Sequence, residues 1–336
     1  MTRCFRGLAA ALFASSLVCL AVVLVAPGAR AQSSATAGPL LLRNPSLSQE
    51  KIAFLYADDI WTVSRSGGDA ERLTSNGHVE AGPYFSPDGA EIAYTAHLNG
   101  NSDVYIVSAS GGVPRRVTWH PVGAEIAGWT PDGKSVLIAT KALSYRHFLK
   151  LFLVHADGSG MPDALPLPAG SQGSFSPDGQ SIAYNPITKW EPAWKRYTGG
   201  QTTPIWIVNL KSLDLVKVPR ENSNDSNPVW VGNAVYFLSD RSGPVSLFRF
   251  DVDSNKVTQV VPNSGFDLKS FQAGPEGIVY EQFGSIHLVD TASNADHTVP
   301  IQIHGRTSIS RAAHRFGAPR RNHQRCNFTN RSTRSI

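Results

Sequence analysis

The sequence predicts an all-β protein, a six-bladed β-propeller of four-stranded antiparallel blades. Three observations support this: a turn motif that recurs at a nearly fixed interval, an apolar run beyond each turn, and a second apolar run after the first. The chain has 336 residues, of which 41% are hydrophobic and 17% charged. With 29 Gly and 22 Pro, this composition is typical of a turn-rich globular domain and disfavours long solvated helices.

The recurring motif is a tight turn. Ser-Pro-Asp-Gly stands at 86–89 and 176–179, Thr-Pro-Asp-Gly stands at 130–133, and the intervals between them are 44 and 46 residues. Proline fixes φ, aspartate bonds back to its own backbone, and glycine accepts positive φ, so each motif predicts a turn between two strands.

Apolar runs rich in β-branched and aromatic residues follow each turn or its equivalent, as expected for strands. The first runs are Ile52–Tyr56, Ile92–Thr95, Val136–Ala139, Ile182–Tyr184, Val235–Leu238 and Ile278–Tyr280. The second runs begin at Ile60, Val104, Leu151, Ile205, Leu247 and Ile286, at intervals of 44, 47, 54, 42 and 39 residues.

A strand before each turn and a short strand after each second run complete four strands per repeat and six repeats. A lone four-stranded sheet cannot bury both faces, whereas sheets stacked around an axis can, and about 40–45 residues is propeller spacing. A β-sandwich is the alternative, but it gives no sixfold similarity. Ring closure stays open: either Leu40–Leu42 adds a strand to the last blade, or packing alone closes the ring.

The 54-residue interval predicts an insertion between the second and third strands of blade four. It contains Trp190, Trp194, Lys195, Arg196 and Tyr197. Aromatic residues with arginine are enriched at binding hot spots, so this cluster is the first candidate for peptide or partner binding. The alternative is that the insertion folds over its own blade and buries these rings.

A second candidate binding segment is Tyr145, Arg146 and His147, in the loop before the third strand of blade three. These two loops are the longest at the ends of the predicted blades, and such loops generally carry function.

Catalytic and cofactor motifs are absent from the sequence. There is no Gly-x-Ser-x-Gly elbow, His-Glu-x-x-His, Walker loop or dinucleotide loop, so no catalytic, metal or cofactor site is expected. Asp58 and Asp59 are interpreted as turn chemistry at a strand entrance, because Asp103 occupies the place of Asp59 in the next repeat. Ser176 is likewise interpreted as a turn former.

The amino terminus predicts export to the periplasm or the medium. Residues 1–31 resemble a signal peptide: Arg3 and Arg6 precede the apolar run 8–26, and Ala-Arg-Ala at 29–31 is a small-x-small cleavage site. An uncleaved membrane anchor is the alternative. Cleavage would leave Cys326 as the one cysteine, so no internal disulfide is expected. Residues 32–39 are a linker to the propeller at 40–304.

The carboxyl terminus differs sharply from the repeats. Residues 305–336 contain eight Arg and no acidic residue. This change predicts a premature end, such as a frameshift, that gives a disordered basic tail. A functional basic tail for an acidic partner is the alternative. Residues 32–304 contain 20 of the 31 basic residues and all 26 acidic ones. This part of the chain is therefore mildly acidic, and no nucleic-acid partner is expected.

Several segments resemble the N-terminal propeller of the tricorn-type protease family, from about Leu40 to about Ile303. The most specific is Trp-Lys-Arg-Tyr-x-Gly-Gly at 194–200, followed by Ile-Trp-Ile at 205–207. The others are Asp-Asp-Ile-Trp at 58–61, Phe-Ser-Pro-Asp-Gly at 85–89, Gly-Gly-Val-Pro-Arg-Arg-Val-Thr at 111–118, Trp-Thr-Pro-Asp-Gly at 129–133 and Phe-Leu-Ser-Asp-Arg at 237–241.

The resemblance implies a non-catalytic propeller that binds or channels peptides or proteins, in a chain that ends before the family's protease half, with a homo-oligomer possible as in the family. Archaeal members anchor a substrate carboxylate with a basic pair after blade two. Here residues 119–125 read Trp-His-Pro-Val-Gly-Ala-Glu, and Arg115 and Arg116, in the preceding strand, are not assigned that role.

Two other functions are alternatives for a propeller of this kind. One is a Tol-system-type periplasmic interaction propeller. That family has an α/β domain before its propeller, and this alternative is disfavoured because only residues 32–39 separate the signal peptide from blade one. The other is an enzyme that uses the central pocket, for which the sequence shows no catalytic constellation.

Overall fold

The computed structural model describes residues 40–75, 77–98, 100–142, 148–189 and 195–304. Within these residues the chain contains β-strands and no helix, and the strands form six antiparallel sheets of four strands, one of which gains a fifth strand. The predicted fold class is therefore confirmed for the propeller. The predicted signal peptide and basic tail lie outside the described residues.

Each blade uses four strands in chain order from the axis outwards. The innermost strands are β1 (Arg43–Leu47), β5 (Val79–Phe85), β9 (Glu125–Trp129), β13 (Gln172–Phe175), β17 (Asp225–Val231) and β21 (Leu268–Gly274). The second strands are β2 (Lys51–Tyr56), β6 (Glu91–Leu98), β10 (Ser135–Thr140), β14 (Ser181–Asn185), β18 (Ala234–Ser239) and β22 (Gly277–Gln282).

The outer half of each blade completes the sheet. The third strands are β3 (Asp59–Ser64), β7 (Asn101–Ser108), β11 (Lys150–His155), β15 (Trp206–Asn209), β19 (Ser246–Asp251) and β23 (Ser285–Asp290). The outermost strands are β4 (Gly68–Arg72), β8 (Arg115–Arg116), β12 (Asp163–Ala164), β16 (Leu215–Lys217), β20 (Lys256–Gln259) and β24 (Asp296–Thr298).

The hydrophobic core lies between the blades. Successive residues of the second strands are buried, as in Phe54-Leu55 and Ile92-Ala93, because alternate side chains face the two neighbouring blades. Between blades four and five, Phe237, Phe248 and Phe250 pack with Ile205 and Ile207. Burial of each such side chain contributes roughly 1.5–3 kcal/mol, so the stacked blades supply the apolar burial that a single blade lacks.

The ring closes on itself. Innermost strands of successive blades contact one another all the way around, including β21 against β1. A strand that the sequence analysis did not foresee, β25 (Ile301–Ile303), pairs in parallel with β4 at the outer edge of blade one.

Both predicted closure modes are therefore wrong. Leu40–Leu42 form no strand on blade six; the N–H of Leu42 donates one hydrogen bond to the carbonyl of Gly284, at 3.0 Å, and the chain then enters β1. The physical reason is that β4 offers a free backbone edge, and Ile301 and Ile303 gain apolar packing there against the core between blades six and one.

The two ends of the propeller differ in their connections. Because neighbouring strands are antiparallel, connections from first to second and from third to fourth strands share one end, here called the turn face. Connections from second to third strands, and from each blade to the next, share the other end, here called the insertion face. The connections after β10 and β14, of nine and 20 residues, both begin and end at the insertion face.

The turn face confirms the predicted turn chemistry. Ser86 Oγ donates to Asp88 Oδ1 at 2.5 Å, and Ser176 Oγ donates to Asp178 Oδ1 at 2.5 Å. Each aspartate also accepts the N–H two residues later. Hydrogen bonding from Ser176, and then from the Gln180 N–H, lowers the pKa of Asp178. Ser176 is thus engaged in its own turn.

Buried aspartates are paired below the insertion face. Asp59 forms an ion pair with Arg72 and accepts a hydrogen bond from Thr74 Oγ1 at 3.0 Å. Asp103 repeats this arrangement in blade two, with Arg116 Nη2 at 2.6 Å and Thr118 Oγ1 at 3.0 Å. The repeat of one arrangement in two blades indicates that it positions strands.

Candidate functional site: the channel mouth on the insertion face

The innermost strands surround a polar cavity of about 190 Å³ at the axis. Its lining residues lie mostly in the first halves of these strands, which begin at the insertion face, so the cavity is the mouth of the central channel on that face. The lining includes Asn44, Tyr84, Glu125, Gln172, Asn227, Lys269, Ser270 and Gln272.

Two residues of opposite charge line the mouth from opposite blades of the ring. Glu125 begins β9 in blade three, and Lys269 is the second residue of β21 in blade six; both line the cavity. Among the residues described, neither side chain has a hydrogen bond or an ion pair closer than 4.0 Å. Their charges are therefore available to a ligand.

The pKa values of Glu125 and Tyr84 reflect their position in the mouth. Burial, followed by repulsion from Glu80, raises the pKa of Glu125. Burial, followed by the charge of Glu125, raises the pKa of Tyr84, while a hydrogen bond with Gln272 partly offsets the rise. The charged form of Glu125 is thus less favourable at the mouth than in water. A cationic or hydrogen-bonding ligand would stabilise that charged form.

Hydrogen bonds between blades hold the rest of the mouth in place. The Asn227 N–H donates to Gln172 Oε1 at 2.9 Å, and Asn227 Nδ2 donates to the Phe271 carbonyl at 2.8 Å. Glu281 Oε2 accepts from the Asn44 N–H at 3.1 Å and from Ser270 Oγ at 3.0 Å. These bonds join blades four, five, six and one, so the mouth is a preorganised ring.

The blade-four insertion reaches the rim of this mouth. Lys195 Nζ lies 2.8 Å from Asp267 Oδ2, in the connection that leads into β21. Burial tends to raise the pKa of Asp267, but hydrogen bonds from Lys195 and from the Val245 N–H outweigh it, so the pKa is lowered. The insertion thus extends beyond its own blade to the entrance of blade six.

The other described members of the predicted cluster lie close by. The Tyr197 carbonyl accepts a hydrogen bond from Asn224 Nδ2 at 2.8 Å, and its hydroxyl occupies the space that a side chain at Gly199 would fill. Arg196 is exposed, with φ of 53°. The predicted residues Trp190, Trp194, Tyr145, Arg146 and His147 lie outside the described residues.

Metal binding, membrane spanning and the Arg115–Arg116 pair bear on other functions. Within the described ranges, no group of three His, Cys, Asp or Glu side chains could hold a metal ion. The described part of the chain also contains no helix long and apolar enough to cross a membrane. Arg115 forms two hydrogen bonds with Glu91, at 2.7 and 2.9 Å, and Arg116 is paired with Asp103, so both lie in structural pairs.

The mouth residues were missed by sequence reasoning. Glu125, Lys269 and Gln272 are isolated polar residues within short innermost strands, and the same pattern would fit a solvent-facing strand. One signal could have found them: in a propeller the first strand of each repeat faces the axis, so its polar residues are candidates for the channel.

Comparison with known proteins gives one consistent result. Residues 39–295 match the family model described as the tricorn protease N-terminal β-propeller domain. The chain is 27% identical to tricorn protease homolog 1 of Streptomyces coelicolor over 263 residues, which cover 77% of this chain and 24% of that relative. It therefore spans about a quarter of the length of the curated relatives it matches first.

Solved structures agree with the family match. The crystal structure of the tricorn protease matches with a TM-score of 0.68 and 25% identity, over 78% of this chain and 26% of that one. A putative TolB from Agrobacterium tumefaciens matches with a TM-score of 0.50 and 19% identity, over 77% of this chain and 80% of that one. The TolB likeness shows a shared fold alone.

Proposed function

Because this chain belongs to the tricorn protease N-terminal β-propeller family, we propose that it is a non-catalytic module that binds peptides at the channel mouth on the insertion face. The observation that carries the proposal is the ion pair between Lys195 and Asp267. It brings the described end of the blade-four insertion to the rim of a polar cavity whose charges have no partners among the described residues.

The chemistry of the mouth suits a peptide. Glu125 and Lys269 offer opposite charges, which match the termini or charged side chains of a peptide. Gln172, Asn227 and Gln272 offer amide groups for a peptide backbone. A cavity of about 190 Å³ is smaller than the roughly 300–1,000 Å³ typical of sites for drug-sized ligands, so it would hold one end of a peptide.

The proposal is tested with the double variant Trp194→Ala/Arg196→Ala of the propeller that begins at Gln32. We expect affinity for an immobilised peptide library to fall about tenfold or more, the range of interface hot spots, with an unchanged melting temperature. Lys256→Met, on the outermost strand of blade five, is the control. A large loss of stability in the double variant would show that the cluster is structural and would count against the proposal.

Lack of catalysis is the second part of the proposal. It is supported by the absence of a nucleophile elbow from the sequence and by the family match, which is to the propeller domain. Purified protein should release no product from fluorogenic peptides. Sustained cleavage that a serine-directed inhibitor blocks would contradict this part.

We further propose that the protein is exported and that residues 1–31 are removed. The basic start, apolar run and small-x-small site support the proposal. Amino-terminal sequencing of protein secreted by an expression host should begin at Gln32. Protein that remains in the membrane with Met1 intact would favour the anchor instead.

A further inference from the structure

Two phenylalanine rings stand exposed together beside the mouth. Phe266 and Phe283 are 60% and 56% exposed, and their rings stack with centroids 4.3 Å apart and planes inclined by 13°. Phe266 lies in the connection into β21, next to Asp267, and Phe283 lies in the turn between β22 and β23. Both connections belong to the insertion face, and Lys269 of the mouth follows Phe266 by three residues.

Two exposed residues at the rim have left-handed backbone conformations. Phe283 has φ of 50°, and Leu41, which is 68% exposed, has φ of 59°. The left-handed region is unfavourable for bulky residues and is occupied mostly by Gly, Asn and Asp. The backbone of Leu41 lies against Gly284. Phe283 thus combines an unfavourable backbone conformation with a ring that is more than half exposed.

Hydrogen bonds hold the backbone of Phe266, and the Phe283 ring stacks on the Phe266 ring. The Phe266 carbonyl accepts hydrogen bonds from Gln282 Nε2 at 2.7 Å and from Asn263 Nδ2 at 2.8 Å. Asp267 is held by Lys195. The pair is therefore a preorganised apolar platform, and preorganised aromatic platforms give contact area at a low cost in conformational entropy.

We propose that Phe266 and Phe283 dock an aromatic side chain of the peptide whose charged end enters the mouth between Lys269 and Glu125. This inference rests on the proposed function and adds a specificity to it. Charge complementarity selects the occupant: an apolar platform beside two opposed, unpaired charges suits a peptide that carries both an aromatic side chain and charged termini. A purely apolar partner would leave Glu125 and Lys269 desolvated without compensation.

The test compares two probes, the pentapeptides Gly-Gly-Phe-Gly-Gly and Gly-Gly-Ala-Gly-Gly, by NMR titration of the propeller. We expect the phenylalanine peptide to bind about tenfold more tightly, consistent with burial and stacking of one aromatic ring. Phe283→Asn and Phe266→Ser should each abolish this preference. Because asparagine tolerates the left-handed region, Phe283→Asn should keep or raise the melting temperature while binding falls.

Leu213→Asn is the matched control. Leu213 is also exposed, at 55%, and also left-handed, with φ of 62°, but it lies on the turn face of blade four. Its replacement should affect stability as Phe283→Asn does and leave the peptide preference intact.

Five results would overturn the inference. Equal binding of both peptides, or a preference that survives Phe283→Asn, would remove the docking role and leave the proposed function standing. Failure of Phe283→Asn to fold would assign that ring to stability. A dimer that dissociates on Phe266→Ser would identify a second copy as the occupant. Binding of neither peptide would contradict the inference and the proposed function together.

Discussion

The turn face and the insertion face of the propeller are built by different rules. On the turn face, Ser86, Asp88 and Gly89 satisfy one another within a single turn, and the same arrangement recurs at 176–179. On the insertion face, connections vary from two residues to twenty, the Phe266–Phe283 pair is exposed, and Glu125 lacks a partner among the described groups.

This difference separates the residues that specify the fold from those available for binding. Turn-face groups pair inside their own repeat, so they have little left to offer a ligand. Insertion-face groups reach across blades, as Lys195 does to Asp267, and some remain uncompensated at the mouth. Four predictions sharpen or break this comparison, and they are ordered from the largest expected effect to the smallest.

The largest effect should come from the buried scaffold beneath the insertion face. Asp225 is fully buried and pairs with Arg241 Nη2 at 2.9 Å, and that guanidinium also lies over Phe237 and Phe248. Asp225→Ala would leave a largely buried cation unpaired, so we expect a loss of about 3–5 kcal/mol in the free energy of unfolding. Urea denaturation measures it.

The double variant Asp225→Ala/Arg241→Met is the control for this prediction. It removes the unpaired charge and keeps apolar contact with the rings, so it should recover most of the lost stability. A loss below about 1 kcal/mol in the single variant would mean that the pair does not support the insertion face.

A medium effect is expected for the turn face. Gly179 has φ of 70° and no neighbour within 4 Å of an added Cβ, so Gly179→Ala adds backbone strain alone, about 1–2 kcal/mol. Gly200→Ala is the matched control, because Gly200 also has open space but no positive φ. Thermal unfolding should separate the two variants, and peptide binding should not change in Gly179→Ala.

Much of the fold was predictable because its signals repeat. Turn motifs at 86–89, 130–133 and 176–179 and the buried second strands follow from local chemistry and periodicity. Closure by β25 was not predictable, because Ile301–Ile303 is one short strand that pairs in parallel with the distant β4. The left-handed backbone of Phe283 could not be predicted from the sequence, because Gly or Asn normally occupies that conformation.

The smallest effects are expected for two carboxylates, one on each face. Replacing Glu125 or Asp178 should shift the melting temperature slightly and in opposite directions, and both shifts should depend on pH. The pKa of Glu125 is raised by burial and then Glu80, so the folded state disfavours its charge above about pH 4.5. Glu125→Gln should therefore raise the melting temperature at pH 7, by no more than about 2 °C because the side chain is partly exposed. The gain should vanish below pH 4.5, where the carboxyl is protonated in both states.

Asp178→Asn is the turn-face counterpart. The pKa of Asp178 is lowered, first by its hydrogen bond from Ser176, so its charge stabilises the fold above the unfolded pKa of 3.8. That contribution is lost as the pH falls through the folded value. Asp178→Asn should thus lower the melting temperature at pH 7 slightly and have no effect in strong acid. Equal signs for the two variants would contradict the division between the faces.

Hydrogen–deuterium exchange of the propeller with and without Gly-Gly-Phe-Gly-Gly tests the central claim most directly. We predict slower exchange in the insertion-face connections 260–267 and 283–284 and in the first residues of β9 and β21, with no change at 86–90, 130–134 or 176–180. Protection confined to those turns, with an unchanged insertion face, would contradict the assignment of binding to the channel mouth.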